Sequence, residues 1–490
     1  VKQTSSITDP LTLSGSLPAG ARTAPVWSWR SIGLGALPFA NAATVELPMS
    51  RLLRLSLFQV TVGMAIVLLV GTLNRVMIVE LGIPAWLVAS MIALPLLFAP
   101  FRMIVGHRSD THRSVLGWRR VPYIWFGSMM QFGGLAIMPF ALILLSGDSH
   151  GPRIIGEAGA ALAFLMTGAG LHTTQTAGLA LATDLAPEHA RPNVVALLCF
   201  MLLLGTVVAA VSFGLLLSPF SELRLVQVVQ GAGLLTIVLN GAALWKQEPR
   251  NRNRTKAVLP SVTFAQSWRA YTRTGQSVRR LLSIGMGTVA FSMQDVLLEP
   301  YGGRVLHLPV SATTSLTAFL AVGGGMGLGL AAYKLKGGSN PYAVAGMGAL
   351  AGIGAFTCLL GAPLLSAPGI FAVGVLIVGF GAGMFAHGTL TASMNMAQGD
   401  ATGIALGAWG AVQATAAGLA IATGGVLSDA IGALARSGRL GHALSGPATG
   451  YSAVYLIEVV LLLATFVTVA PLARGGTVKR VDAEPMGATQ

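Results

Sequence analysis

Twelve stretches of this chain approach the roughly 20 apolar residues that a helix needs to cross a hydrocarbon core. They fall near 52–74, 84–105, 121–145, 157–182, 193–217, 225–245, 280–302, 311–334, 342–361, 367–393, 403–429 and 450–473. In lipid a helix satisfies its own backbone, so such a chain folds as a bundle of membrane-spanning helices. Charged residues make up 10% of the 490, against about a quarter in a soluble domain. That is too few to coat a water-facing globule. Glycine occurs 62 times, which suits close contact between helices. Cys199 and Cys358 both sit in apolar runs, without a disulfide framework or metal-ligand spacing.

The net charge of +14 raises the question of nucleic acid, but the basic residues cluster in a few connections. Arg108, Arg113, Arg119 and Arg120 follow the second run. Lys246, Arg250, Arg252, Arg254, Lys256, Arg269, Arg273, Arg279 and Arg280 follow the sixth. The alternate connections hold a sparser set: Arg75, Arg153, Arg224, Arg304, Arg436 and Arg439. This asymmetry predicts both termini in the cytoplasm and a lipid bilayer, not nucleic acid, as the partner.

The chain divides into a flexible cytoplasmic tail (1–50), a six-helix bundle (51–245), a basic cytoplasmic linker (246–280), a second six-helix bundle (281–473) and a cytoplasmic C-terminal tail (474–490). Arg30 to Ala43 mimics a signal peptide, but the apolar stretch is short and interrupted by Pro38. It is read as an interfacial or flexible tail, with Trp27 and Trp29 suited to the membrane surface. An alternative start at Met49 stays open.

The connection after the second run reads Gly106-His107-Arg108-Ser109-Asp110, then Gly117-Trp118-Arg119-Arg120. It resembles the loop signature of major facilitator transporters with extra residues in the middle. Glycines allow the tight turn, Asp110 can cap a helix or pair with a loop arginine, and Arg119 and Arg120 suit anionic headgroups. The competing reading is a basic loop with no gating role. With the six-and-six layout, the expectation is an all-α membrane protein of the major facilitator fold. Its first, fourth, seventh and tenth helices would line a central cavity.

The seventh run contains Gln294-Asp295 and Leu298-Glu299-Pro300-Tyr301-Gly302-Gly303. Read as one unbroken helix, Asp295 and Glu299 stack on one face. A carboxylate in a membrane costs at least about 2–3 kcal/mol, so it needs a partner or a function. Arg75, at similar depth on the first helix, is the expected partner of Glu299 or Asp295; proton binding is the alternative. His172, with Gln175 beside it, lies on the fourth helix and His387 on the tenth. Imidazole can ligate a metal or relay protons, and the competing role is a hydrogen bond within the bundle. Gln59, Gln413 and Glu458 are read as structural hydrogen-bonding groups, and Arg102 as a snorkelling side chain. No phosphate-binding loop and no nucleophile–base spacing occur. A metal site and an enzyme are therefore not expected.

Asn74-Arg75-Val76-Met77-Ile78-Val79-Glu80-Leu81-Gly82, Ala99-Pro100-Phe101-Arg102, the stretch from Ser109-Asp110 to Pro122-Tyr123, and the seventh-run motif together resemble the PucC/LhaA family. That family is the bacteriochlorophyll-delivery branch of the major facilitator superfamily. The resemblance covers about residues 50–473. It implies a membrane assembly factor for light-harvesting antennae that binds or hands over bacteriochlorophyll a. The implied partners are antenna polypeptides, reaction centre–antenna intermediates and pigment-synthesis enzymes. The implied location is the intracytoplasmic photosynthetic membrane. The tail and the Val121-Pro122-Tyr123-Ile124-Trp125-Phe126-Gly127 stretch lean toward the LhaA-like branch, serving the core antenna, over the PucC-like branch, serving the peripheral antenna. His172, His387 and Gln175 are then pigment-ligand candidates. The rival is a proton-coupled transporter of a small metabolite, with Asp295 and Glu299 carrying protons.

Overall fold

The computed structural model describes residues 42–44, 47–97, 109, 117–147, 151–187, 190–248, 277–363, 367–395 and 402–474. Among the described residues, twelve helices follow one another: α1 Met49–Glu80, α2 Ala85–Leu97, α3 Val121–Ser146, α4 Arg153–Leu185, α5 Arg191–Leu216, α6 Glu222–Leu244, α7 Ser277–Arg304, α8 Val310–Lys336, α9 Pro341–Gly361, α10 Pro368–Asn395, α11 Thr402–Arg436 and α12 Thr449–Arg474. Eleven, among the described residues, are long and apolar enough to cross a membrane. The described part of α2 is shorter, and the remainder of the expected 84–105 span, with Arg102, lies outside the described residues. Most of the linker and both tails also lie outside them.

Within the first half, α3 packs on α4, and α1 packs on α5 and α6. The second half repeats this plan, with α9 on α10 and α7 against α11 and α12. The halves meet along α2–α11 and α5–α8. Arg51, Arg119, Arg120, Lys246, Arg279, Lys334 and Lys336 mark one end of the bundle, called here the basic end.

Close helix pairs rest on glycine. Gly323 and Gly327 of α8 lie against the carbonyls of Leu376 and Phe380 on α10, while Gly379 and Gly383 lie against Leu320 and Gly324. Four-residue spacing keeps each pair on one face, so the backbones touch where a side chain would collide. Several glycines of the eighth span are thus used inside the bundle. Leu215, Leu234, Val238 and Val467 instead face outward, as expected where the solvent is lipid. One interior polar chain joins three helices: Thr61 of α1 donates to Asn240 of α6 (2.9 Å), which donates to Ser128 of α3 (2.8 Å).

Candidate functional site

Pro300 shapes the seam between the halves. In an unbroken helix its N–H would bond the carbonyl of Val296, but proline has none. The α-helix instead ends at Ser292, a 3₁₀ turn covers Met293–Val296, and α-helix resumes at Leu298. Pro300 then sits in a first turn, where no intrahelical N–H is needed. The expected single helix with Asp295 and Glu299 stacked on one face is therefore corrected: the tighter 3₁₀ winding separates the two residues.

Side chains from other helices take up the groups freed by this break. Asn74 Nδ2 donates to the Val296 carbonyl (2.9 Å). The Gln294 N–H donates to Glu458 Oε1 of α12 (2.6 Å). Gln294 Nε2 donates to Asp295 Oδ1 (2.5 Å).

Helix α1 is irregular opposite the break. Val67–Leu73 and Val76–Glu80 are wound as π-helix, in which residues five apart stack. This winding brings Arg75 Nη1 to Glu80 Oε1 at 2.5 Å. The direct ion pair of Arg75 is thus with Glu80 rather than with Glu299 or Asp295 as expected, although the Arg75 charge still acts on the Glu299 carboxyl. Arg75 is buried at 4% exposure, and its Nη2 also donates to the Leu308 carbonyl (3.2 Å). Glu299, at 2% exposure, accepts from Thr317 Oγ1 of α8 (2.5 Å).

Glycine makes room for both charged groups. Gly71 lies against the Glu299 carboxyl, and Gly303 lies against the Arg75 guanidinium. Each helix thus offers a glycine to the other's long side chain, one turn apart. Three further hydrogen bonds join the halves at this end: Thr72 with Thr314 (3.4 Å), the Trp86 N–H to Asp429 (2.8 Å), and Arg304 to the Ile78 carbonyl. Among the described residues, Asn74 Oδ1, Gln294 Oε1, Glu299 Oε2 and Glu458 Oε2 are buried with no protein partner. The seam can therefore accept hydrogen bonds or protons.

The histidines sit elsewhere. His172 and Gln175 are half-buried midway along α4, and His387 is half-buried toward the basic end of α10. Trp409 donates to Thr389 (3.2 Å), two residues beyond His387. Gln59 is buried and Gln413 half-buried.

At the basic end, Gly106 and Asp110 lie outside the described residues. Gly117 has φ 77°, a left-handed turn that favours glycine. Arg119 and Arg120 both reach Asp184 at the end of α4 (3.0 and 3.1 Å), and Arg120 donates to Ser109 (2.6 Å). Glu248, just after α6, accepts from the N–H groups of Arg119 (2.7 Å), Arg120 (3.0 Å) and Val121 (3.0 Å). It caps the positive N-terminus of α3. Neither Asp184 nor Glu248 was singled out from the sequence. The available signal was topological: an even number of crossings brings the ends of α4 and α6 to the loop before α3.

Residues 72–477 match the family model described as PUCC protein. The chain belongs to the PUCC family. The match takes in the Val76–Glu80 π turn of α1, the α7 break and the Asp184 and Glu248 contacts. Protein PucC of Rhodovulum sulfidophilum is 55% identical over 408 residues, 82% of this chain and 90% of that protein. A Rhodobacter capsulatus protein described as uncharacterized, from the puhA–bchM intergenic region, is 53% identical over 449 residues, 91% of this chain and 94% of that one. Rhodobacter capsulatus also has a bacteriochlorophyll synthase 44.5 kDa chain that is 29% identical, covering 77% of this chain and 87% of its own length.

Solved structures show the fold of this PUCC chain. A bacterial homologue of the lysosomal transporter Spinster, inward-facing and unoccupied, aligns with TM-score 0.65 at 16% identity, over 87% of this chain and 96% of that one. A bacterial homologue of the iron transporter ferroportin aligns with TM-score 0.63 at 15% identity, over 86% and 98%. The chain is a multi-pass membrane protein of the major facilitator fold, with two six-helix bundles.

Proposed function

We propose that this chain is a membrane assembly factor for light-harvesting antennae, one that holds or hands over bacteriochlorophyll while antenna polypeptides are inserted. The observation that carries this reading is the PUCC match over residues 72–477, supported by 55% identity to a protein named PucC. Bacteriochlorophyll a is then cargo. Its flat apolar macrocycle suits a groove between helices, and its magnesium wants one axial ligand. Half-buried His172 and His387 offer neutral imidazole, with Gln175 as a further candidate. The core antenna is the preferred client, on the tail and the Val121–Gly127 stretch. Reaction centre–antenna intermediates and pigment-synthesis enzymes are the further partners. The chain would work in the intracytoplasmic photosynthetic membrane with both termini in the cytoplasm, as the charge asymmetry supports.

The test is purification in mild detergent from a phototrophic host, with an absorption spectrum beside a proteomic record of bound proteins. Near-infrared pigment bands with core-antenna peptides are expected. Peripheral-antenna peptides would move the client to the other antenna. A colourless preparation without antenna peptides would count against the proposal. His172→Phe and His387→Phe should lower pigment content; unchanged content removes them as ligands.

A second reading, a proton-coupled transporter of a small metabolite, is favoured by one observation: Asp295 and Glu458 both bond Gln294, Glu299 bonds Thr317, and buried oxygens on Glu299 and Glu458 lack protein partners. Proton-dependent uptake into vesicles, lost in Asp295→Asn, would support it. Absence of uptake for a broad metabolite panel would count against it.

A further inference from the structure

We infer that a notch between α3 and α6 at the basic end is a binding site for an anionic phospholipid of the adjoining leaflet. The notch encloses about 1050 Å³, at the upper limit of usual small-molecule pockets. Its lining includes Trp118, Trp125, Trp245, Gly241, Arg51 and Lys246. Gly241 indents the α6 surface: a Cβ built there would meet nothing within 4 Å. Trp125 and Trp245, 43% and 65% exposed, flank that indentation. Tryptophan favours the level of lipid headgroups, and these rings mark that level beside an apolar slot fit for an acyl chain.

Charge selects the headgroup. Lys246 follows the end of α6 in a left-handed turn (φ 54°), is exposed, and has no carboxylate partner among the described residues. Arg51 is held through Nε to Gln247 Oε1 (3.1 Å) and through Nη2 to the Gln247 carbonyl, while Gln247 Nε2 donates back to the Arg51 carbonyl (3.1 Å). That grip fixes the guanidinium without neutralising it. The acid of the lining, Glu248, is already engaged by the N–H groups that open α3. Two cations and one acid already turned toward the start of α3 leave the lining with a net positive charge over an apolar slot.

A soluble anion would leave the tryptophans bare, and among the described residues no imidazole lines the notch to hold a pigment's magnesium. An acidic head on an acyl chain satisfies both halves of the site. This inference does not depend on the assembly-factor reading, since it draws only on the notch.

The test uses the full chain reconstituted in phosphatidylcholine vesicles containing brominated phosphatidylglycerol or, separately, brominated phosphatidylcholine at equal mole fraction. Bromine quenches tryptophan on contact. Stronger quenching by the phosphatidylglycerol is expected. Lys246→Gln should weaken its apparent affinity roughly fivefold, as removal of one headgroup-facing cation does. Gly241→Leu sets a side chain into the slot, starting from a Cβ position that meets nothing within 4 Å, and should abolish the preference while leaving the melting temperature in place. Equal quenching by the two lipids would overturn the proposal. So would a phosphatidylglycerol preference that survives both substitutions in variants with unchanged melting temperature.

Discussion

Asn74 supplies Val296 with the hydrogen bond that Pro300 withholds (2.9 Å). The acceptor is the carbonyl that an ordinary residue at 300 would bond within its own helix. Asn74→Ala should therefore lower stability by about 1–3 kcal/mol, the cost of a buried unsatisfied carbonyl. In a Pro300→Ala background the same substitution should cost less, because the introduced alanine brings an N–H of its own. Thermal unfolding of the four proteins in detergent gives the coupling; equal Asn74→Ala losses in both backgrounds would refute the link.

Glu248 ties the end of α6 to the start of α3. Glu248→Ala removes the acceptor of three N–H groups at a helix N-terminus. The expected loss is about 1–2 kcal/mol, in the range of cap deletions. Differential scanning fluorimetry reads this as a lower melting temperature. A Glu248→Ala protein that melts like the parent would show the cap to be idle.

The α8–α10 contact separates glycines by role. Gly327→Ala would set a methyl against the Phe380 carbonyl, and overpacking of this kind costs about 1–3 kcal/mol. Gly329 meets nothing within 4 Å. Gly329→Ala should be neutral or raise stability by up to about 1 kcal/mol through helix propensity. Melting temperatures falling equally for both variants would contradict the packing described.

Gly71 leaves room for the Glu299 carboxyl. Gly71→Ala should destabilise by about 1–3 kcal/mol, and Glu299→Ala should relieve much of that clash when the two are combined. Additive losses in unfolding experiments would show that the two residues do not press on each other.

The spans were legible because hydropathy over some 20 residues depends little on tertiary detail. The seam was less so. Pro300 was visible, yet the i,i+4 rule applied to Asp295 and Glu299 presupposed the unbroken helix that Pro300 prevents. The direct partner of Arg75 was missed for a related reason. Glu80 stands five residues on, out of reach in ordinary α-winding, and becomes a neighbour only through the π turn at Val76–Glu80. Asp184 and Glu248 carry no local motif, since their roles come from where other helices end. His172 and His387 were legible as polar groups in spans, and the structure places them half-buried on α4 and α10, apart from the charged seam.

The hydrogen bonds that cross between the halves at Thr72, Asn74, Arg75, Trp86 and Arg304 stand at the end away from Arg119 and Lys246. A pair of bundles fastened there behaves like tongs. Parting the halves at the basic end leaves these bonds whole, whereas parting them at the other end breaks five. At about 1 kcal/mol each, those five bonds together oppose parting the halves at that end. Any cargo or partner that parts them there must offset that cost through tighter binding to the parted posture.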